Sequence, residues 1–279
     1  MRAARIFELD GLTFIEPNFA SLTDDIYTAA LLGIPAVEGR LLIDPDENPL
    51  AMAVSDGKVW YAASFLLRSL PLEVIELCED LDSEIHEEER SLWAAAVREY
   101  YSLLVGREVT PALEDLPPGR TAKLENLLEE VWGRGDDVTC LDCCCGSGVG
   151  SRAARALGMQ PLSYDSDPAL LSLGLSSGRL LPGETMWMDA TLAGQYLEPV
   201  PRGVAVMMGE INSFTAEMWE TITGELLALV DEALITVGTE QEARRVEGWC
   251  STLGHRADVF ENRRDEFYDR WVCRSAREG

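Results

Sequence analysis

The chain lacks long apolar runs, clusters of basic residues and paired histidines. No stretch of about 18 apolar residues occurs, and a membrane-spanning helix needs roughly that length. The opening segment MRAARIFELDG has two arginines but no apolar stretch after them, so we expect no signal peptide and a cytoplasmic protein. The two histidines, His86 and His255, stand alone in the sequence, which indicates packing or surface positions rather than catalysis.

Positive charge is scarce. The chain has 23 Lys and Arg residues against 49 Asp and Glu residues, for a net charge of −26. Basic residues come at most in pairs such as Arg244–Arg245 and Arg263–Arg264. A surface this negative repels phosphate backbones, so nucleic acid is disfavoured as a partner. The acidity is typical of high solubility or of a salty cytoplasm, and a functional acidic patch is the alternative.

Seven cysteines occur in a chain for which we expect no export, so reduced thiols are the default. Cys140 and Cys143 have C-x-x-C spacing, but the second ligand pair of a tetrahedral zinc site is missing. A nucleophilic cysteine needs an adjacent base or cation, and near the cysteine run only Arg152 could serve. The sequence therefore predicts neither a metal centre nor a cysteine nucleophile.

The N-terminal third has mixed patterns. Residues 38–64 resemble one or two strand pairs, with turns at Asp44-Pro45 and Asp56-Gly57. Apolar residues at helical spacing predict an amphipathic helix over residues 82–105, with the acidic cluster 84–89 as its solvated first turns.

A domain boundary is predicted at TPALEDLPPG, residues 110–119, which has three prolines and a glycine between two helical patterns. We therefore expect an N-terminal mixed α+β domain at residues 1–115, and a second domain at residues 116–279. The second domain opens with a helix that Thr121 can cap and that Gly133 ends.

After this helix, strand-like and helical patterns alternate. The helical patterns cover 148–158, 168–178, 214–231 and 240–254. The strand-like runs cover 137–143, 160–167, 184–190, 203–210 and 232–239, followed by an antiparallel pair at 256–263 and 269–276. This alternation predicts an α/β fold, with a mostly parallel sheet of seven strands and helices on both faces.

The stretch LDCCCGSGVGS, residues 141–151, joins the first strand of this sheet to the next helix. Gly146 and Gly148 let the backbone come close to a ligand, and the helix that follows offers free N–H groups. Asp165 closes the second strand, where an acid can accept both hydroxyls of a ribose. The residues predict a nucleoside-containing ligand.

Two common phosphate-binding turns do not fit this stretch. In the dinucleotide pattern G-x-G-x-x-G counted from Gly146, the third glycine is replaced by Ser151. A P-loop needs a lysine after its glycines, where this chain has Gly150 and Ser151. An NAD-type or nucleotide-sugar enzyme therefore remains only a third alternative.

The stretch does resemble the first motif of class I S-adenosylmethionine-dependent methyltransferases. The matching residues are Leu141, Asp142, Cys144, Gly146, Ser147 and Gly148. Cys144 stands where the family usually has its first glycine, a place at which the family tolerates small residues. The resemblance spans residues 120–275 and implies a Rossmann-like sheet and S-adenosylmethionine as cofactor.

The resemblance also implies further site residues. Asp165 and Ser166 fall where the family holds the ribose, and Asp189 and Ala190 where it contacts the adenine. Gly209 falls at the end of the fourth strand, where the family has its active-site motif. The predicted cofactor-binding set is Asp142, Cys144, Gly146, Ser147, Gly148, Asp165, Ser166, Asp189, Ala190 and Gly209.

Two polar residues are candidates for the chemistry. Glu210 is the first candidate for a general base or a substrate-orienting group, and Asn212, which can donate and accept, is the second. In the alternative, Glu210 contacts only the cofactor or caps the helix near Ser213. The Asn-Pro-Pro-aromatic motif of nucleic-acid N-methyltransferases is absent here.

The resemblance implies methyl transfer from S-adenosylmethionine to an unidentified small-molecule or protein acceptor. The N-terminal domain would then select the substrate, with Trp60, Tyr61, Tyr100 and Tyr101 as aromatic candidates for a lid or for the core. The alternative function is a non-catalytic protein that binds the cofactor or a nucleoside, with its N-terminal domain mediating a protein interaction.

Overall fold

The computed structural model describes residues 1–113, 116–135 and 137–277. The chain divides into two compact units, Met1–Leu104 and Val105–Gly279. Within the described residues, no helix has both the length and the apolar character needed to cross a membrane.

The N-terminal unit is a five-stranded sheet with helices. Its elements in chain order are α1 (Arg2–Ile6), β1 (Thr13–Phe14), α2 (Ile26–Leu32), β2 (Glu38–Ile43), β3 (Pro49–Ser55), β4 (Trp60–Ser64), α3 (Leu72–Asp80), β5 (Glu84–Glu87) and most of α4 (Arg90–Glu108). The sheet order is β1-β4-β3-β2-β5, with antiparallel pairing among β2, β3 and β4. The predicted strand pairs and their two turns are confirmed.

Aromatic side chains fill part of the core of this unit. Trp93 is fully buried, and its ring centroid lies 5.6 Å from that of Phe7. Tyr100 and Tyr101 are also buried, and the ring of Tyr100 lies 4.7 Å from that of Phe14. Both tyrosines therefore have the core position that was the alternative to a lid.

The acidic cluster 84–89 was predicted as the start of a helix, and this prediction is wrong. Glu84–Glu87 form β5, an edge strand that pairs in parallel with β2. Asp82 has a φ of 46°, which prevents a helical run from continuing into α4. The helix itself begins at Arg90 and extends to Glu108.

The division between the two compact units falls earlier in the chain than the predicted boundary at 115/116. The division falls inside α4, because Val105 packs with Cys145, Leu171 and Leu180 of the C-terminal unit. The chain after α4 lies along the same unit, where the Ala112 N–H donates to the Ala169 carbonyl at 2.9 Å. Residues 114 and 115 of the predicted linker lie outside the described part of the chain.

The C-terminal unit alternates strands and helices. Its elements are α5 (Arg120–Trp132), β6 (Thr139–Cys143), α6 (Val149–Ala156), β7 (Gln160–Asp165), α7 (Pro168–Ser176), β8 (Thr185–Trp187), β9 (Val200–Ala205), α8 (Ala216–Leu229), β10 (Val230–Val237), α9 (Glu240–Thr252), β11 (His255–Glu261) and β12 (Trp271–Arg277). The sheet order is β11-β12-β10-β9-β6-β7-β8, and among these strands β12 alone runs opposite to the others. The predicted fold class is confirmed.

Apolar residues at helical spacing hold α5 against this sheet. Leu124, Leu127 and Leu128 are fully buried, in one cluster with Cys140 of β6 and Val204 of β9. Full burial of each leucine contributes about 1.5 to 3 kcal/mol. This packing fixes the start of α5 beside the carboxyl ends of the central strands.

Two local predictions for this unit are corrected. Helix α5 begins at Arg120, directly after Gly119 with φ 77°, so Thr121 lies inside the helix rather than at its cap. The fourth strand of the unit ends at Ala205 and not at Glu210. Met207 has a φ of 55°, and its N–H donates to the Thr236 hydroxyl at 2.7 Å, so the chain leaves the strand ladder there.

Candidate binding site at the glycine turn

A cleft of about 520 Å³ lies in the C-terminal unit. Residues that follow the carboxyl ends of β6, β7, β8 and β9 line it. Strand β6 pairs in parallel with β7 on one side and with β9 on the other, so the order in which the chain adds strands to the sheet reverses at β6. Ligands of α/β sheets bind at such a switch point, and the volume suits a small molecule.

The turn after β6 has an unusual backbone. Cys144, Gly146 and Gly148 all have positive φ angles, of 53°, 53° and 81°. A Cβ atom on Gly148 would lie 2.5 Å from the Leu180 side chain, so only glycine fits both the angle and the space. Cys144 adopts the same left-handed region at a steric cost.

Asp165 at the end of β7 holds this turn. Its Oδ2 accepts the Gly146 N–H at 2.8 Å, and its Oδ1 accepts the Asp167 N–H at 2.8 Å. Burial raises the pKa of the Asp165 carboxyl. Each oxygen keeps a further lone pair, so the carboxylate can also accept hydroxyl donors from a ligand in the cleft.

The third acidic residue of the predicted cofactor-binding set follows β8. Asp189 lies on the cleft, and its Oδ1 accepts the Thr191 N–H at 2.9 Å and the Thr191 hydroxyl at 2.8 Å. It caps a short 3-10 helix, Ala190–Gln195, and this capping fixes the direction of the carboxylate.

Eight of the ten predicted cofactor-binding residues line the cleft: Cys144, Gly146, Ser147, Asp165, Ser166, Asp189, Ala190 and Gly209. Asp142 and Gly148 do not. Asp142 is buried beneath the turn, where the Ser151 hydroxyl donates to its Oδ2 at 2.5 Å. Burial raises the pKa of the Asp142 carboxyl to about 6. Its place is therefore under the cleft and not in it.

The cysteines of the turn are free thiols. Cys144 is half-buried on the cleft, with its Sγ 3.9 Å from that of Cys143. The neighbouring Cys143 side chain and burial raise the pKa of the Cys144 thiol, so the nucleophilic thiolate is disfavoured. Throughout the described part of the chain, no group of three or more His, Cys, Asp or Glu residues is placed to hold a metal ion.

Glu210 and Asn212 lie outside this cleft. They line a separate recess of about 350 Å³ in the same unit, together with Thr239, Glu242 and Arg245. Glu210 is exposed. The Asn212 Oδ1 accepts the N–H groups of Phe214 and Thr215 at 2.8 and 3.2 Å, so this side chain closes the turn that precedes α8.

Sequence reasoning missed Arg120, which lines the cleft from the first residue of α5. Its Nε and Nη2 donate to Asp269 at 2.9 and 3.3 Å. The two residues are 149 positions apart in the chain, and no local pattern connects them. A single arginine at the start of a helix does not indicate from the sequence that its side chain lines a cleft.

In comparisons with known proteins, this chain is similar to solved structures in its fold alone. No family model matches the sequence, and no curated protein matches it. One similar structure is a proposed RNA methyltransferase from Pyrococcus horikoshii, at 11% identity and a TM-score of 0.47, covering 64% of this chain and 97% of that one.

Two further structures have a similar architecture. Magnesium protoporphyrin IX methyltransferase from Synechocystis, with bound S-adenosylmethionine, is 12% identical with a TM-score of 0.46, over 66% of this chain and 97% of that one. The ribosomal protein L11 methylase from Lactobacillus delbrueckii is 14% identical with a TM-score of 0.43, over 59% and 91%.

Proposed function

We propose that this protein binds S-adenosylmethionine in the glycine-turn cleft and transfers its methyl group to a small-molecule or protein acceptor. The observation that carries the proposal is the meeting of the glycine turn, Asp165 and Asp189 in one cleft of about 520 Å³. These are the residues by which the chain resembles the first motifs of class I methyltransferases.

Polar atoms that line the cleft support the binding of an adenosyl group. Asp165 would accept the ribose hydroxyls, because each of its oxygens keeps a lone pair beside a fixed backbone donor. Asp189 would accept from the adenine amino group. Gly146 leaves the approach open, since the nearest atom to a Cβ there would be 3.9 Å away.

The chain's part in catalysis would be orientation. When bound, the cofactor supplies an electrophilic methyl carbon on a sulfonium. The protein would hold that carbon in line with an acceptor atom, and proximity of this kind lowers the barrier substantially. Glu210 stays the candidate general base, and Asn212 would shape the loop before α8 through its two backbone bonds.

The second candidate function is a non-catalytic protein that binds the cofactor or a nucleoside and uses its N-terminal unit for protein interaction. One observation favours it: Glu210 and Asn212, the predicted catalytic pair, line a different recess from the cofactor residues. Transfer of a labelled methyl group to components of a metabolite or protein extract distinguishes the two functions.

Charge bears on the acceptor. A net charge of −26 disfavours a nucleic-acid acceptor. We therefore propose that the acceptor is a small molecule or a protein, and that the protein is cytoplasmic. An acceptor that proved to be RNA would change this part of the proposal and leave the cofactor site intact.

The test is calorimetric titration of the full chain with S-adenosylmethionine, with S-adenosylhomocysteine and with NAD. We expect low-micromolar binding of the first two and none of NAD. Asp165→Ala should weaken binding by about 10- to 100-fold, because hydrogen bonds to a charged group are lost. The matched control is Asp167→Ala, which removes a neighbouring carboxylate that does not line the cleft. Folded protein that binds neither sulfur compound would contradict the proposal.

A further inference from the structure

We propose that the thiols of Cys143 and Cys144 form a two-sulfur site that binds Cu(I), a soft monovalent metal ion. The pair lies where β6 ends, and Cys144 lines the cleft, so an ion would enter from there. The proposed function does not use the sulfur atoms of these two residues.

The backbone of Cys144 brings the two sulfur atoms together. In an extended strand, the side chains of neighbouring residues point to opposite faces of the sheet. Cys144 follows the last residue of β6 and has a left-handed φ of 53°, which ends this alternation. Its Sγ lies 3.9 Å from the Sγ of Cys143. Two metal–sulfur bonds of about 2.3 Å each can span this distance, so one ion can bridge both sulfurs.

The turn keeps a sulfur atom at a position where glycine would be less strained. A positive φ costs a residue with a side chain about 1 to 2 kcal/mol, and the same turn already uses glycine at Gly146 and Gly148. Strained backbone of this kind is concentrated at functional sites. The strain at Cys144 is therefore what we expect if its sulfur has a role beside Cys143.

The third cysteine of the run has different surroundings. Cys145 packs with Val105, Leu171 and Leu180 in an apolar cluster. Its thiol donates to the Gly146 carbonyl at 3.7 Å. Cys145 is therefore a packing residue, and the site consists of two sulfurs.

A buried hydroxyl without a partner lies beside the pair. Tyr164 of β7 is in register with Cys143, and such partners in a parallel ladder extend to the same face of the sheet. Tyr164 is fully buried, and its hydroxyl has no hydrogen-bond partner among the described residues. Burial and the neighbouring Cys143 side chain raise the pKa of this hydroxyl. A metal-bound thiolate at Cys143 would accept its O–H and support the site from outside the metal's ligands.

The donor set selects the kind of ion. A structural zinc site needs four ligands, and within the described part of the chain no group of three or more His, Cys, Asp or Glu residues is placed to hold a metal. Cu(I) prefers sulfur ligands and is stable with two of them. Uptake is balanced without a redox step: Cu⁺ and two thiols give one S–Cu–S unit of charge −1 and two protons.

An ion on this pair would exclude a nucleoside from the cleft. Cys144, Gly146 and Asp165 line the same cleft, so we expect bound Cu(I) and a nucleoside at Asp165 to compete. This competition rests on the proposed function, whereas the metal site itself does not.

The experiment titrates the reduced full chain with Cu(I) under a competing chelator and without oxygen. We expect one equivalent to bind and to be lost in Cys143→Ser and in Cys144→Gly, the second of which also relieves the backbone strain and should fold. Because two protons leave, the apparent affinity should rise about 100-fold per pH unit between pH 6 and pH 7. A wild type that takes up no Cu(I), or a Cys144→Gly chain that keeps the equivalent, would overturn the proposal.

The other thiols supply matched controls. Cys145→Ser and Cys78→Ser should keep the equivalent, because neither sulfur belongs to the pair. Cys250 and Cys273 are also neighbouring thiols, but both are fully buried and line neither the cleft nor the recess of Glu210. Cys250→Ser should therefore keep the equivalent as well. Loss of the equivalent in Cys250→Ser would place the ion at that second pair and overturn the assignment.

Calorimetry with S-adenosylmethionine tests the competition. The copper-loaded wild type should bind the cofactor at least about 10-fold more weakly than the metal-free wild type. Addition of copper should not change the affinity of Cys144→Gly for the cofactor. Equal affinities of the loaded and metal-free wild type would overturn the competition. Metal-free protein that binds Cu(I) but no cofactor would contradict the proposed function and support the metal site.

Discussion

The two walls of the cleft are built differently. The backbone wall consists of the turn 144–148 with Asp165 and Asp189, and its acids bond to nearby main-chain N–H groups. The side-chain wall consists of Arg120, which lines the cleft, and of Asp269 and Thr236, which hold it without lining the cleft. Their contacts join three distant parts of the chain. One wall is set by local turn geometry, and the other by tertiary packing.

Because the two walls are built differently, we expect them to differ in their sensitivity to substitution. On the backbone wall, each acid shares its bonds with main-chain groups that stay in place when the side chain changes. On the side-chain wall, removing one partner leaves a buried charge without compensation. Substitutions on the side-chain wall should therefore cost more stability, and those on the backbone wall more ligand affinity.

The largest effect is expected for Asp269→Ala. It leaves the Arg120 guanidinium, 10% exposed, without its counter-charge, and should lower the free energy of unfolding by about 3 to 5 kcal/mol. Urea unfolding measures it. The double variant with Arg120→Met should lose less than the sum of the two single variants. A loss below about 1 kcal/mol for Asp269→Ala would contradict the contrast between the walls.

The next effect concerns Asp142, which supports the backbone wall from below. Burial raises the pKa of its carboxyl to about 6, above the unfolded value of about 3.9. The folded state therefore binds the proton more tightly, and this group's contribution to stability falls as pH rises from about 4 to 6.

Asp142→Asn removes that titration. The stability of the wild type relative to the variant should fall by about 2 to 3 kcal/mol between pH 4 and pH 7. Denaturant unfolding at several pH values measures the difference, and the other titrating groups cancel between the two proteins. A difference that stays constant with pH would contradict the role of burial.

A smaller loss is expected for Thr236→Val on the side-chain wall. Valine keeps the shape but removes the hydroxyl that donates to Asp269 and accepts the Met207 N–H. Unfolding free energy should fall by about 1 to 2 kcal/mol. Thr236→Ser, which keeps the hydroxyl, is the control and should retain most of the hydrogen-bond contribution.

The smallest change is expected at Cys144, whose φ of 53° is costly for a residue with a side chain. Cys144→Gly should be more stable than Cys144→Ala by about 1 kcal/mol, because alanine keeps the strain and glycine relieves it. Thermal unfolding of the two variants measures it. Equal stabilities would indicate that the left-handed backbone carries no strain.

The residues of the backbone wall could be predicted from the sequence because the patterns that indicate them are local. Alternating apolar runs separated by glycines predicted seven strands, and the turn and its acids follow strand ends directly. The same reasoning extended the fourth strand to Glu210, since nothing local shows that Met207 turns aside to bond Thr236. It also took β5 for the start of a helix, because the acidic run hides its pairing with β2.

The side-chain wall could not be predicted. Arg120 and Asp269 meet only after α5 packs on the sheet and the loop before β12 folds back. The recess around Glu210 was equally hidden, because its formation depends on α9 residues such as Glu242, which accepts the Ile211 N–H at 3.0 Å. Contacts between positions far apart in the chain produce no local sequence pattern from which they could be predicted.

A crystal structure of the full chain with S-adenosylhomocysteine would show whether the glycine-turn cleft holds the cofactor. We expect ribose hydroxyls within about 3.2 Å of the Asp165 carboxylate. Ligand bound in the recess of Glu210 and Arg245 would contradict the assignment of the cleft.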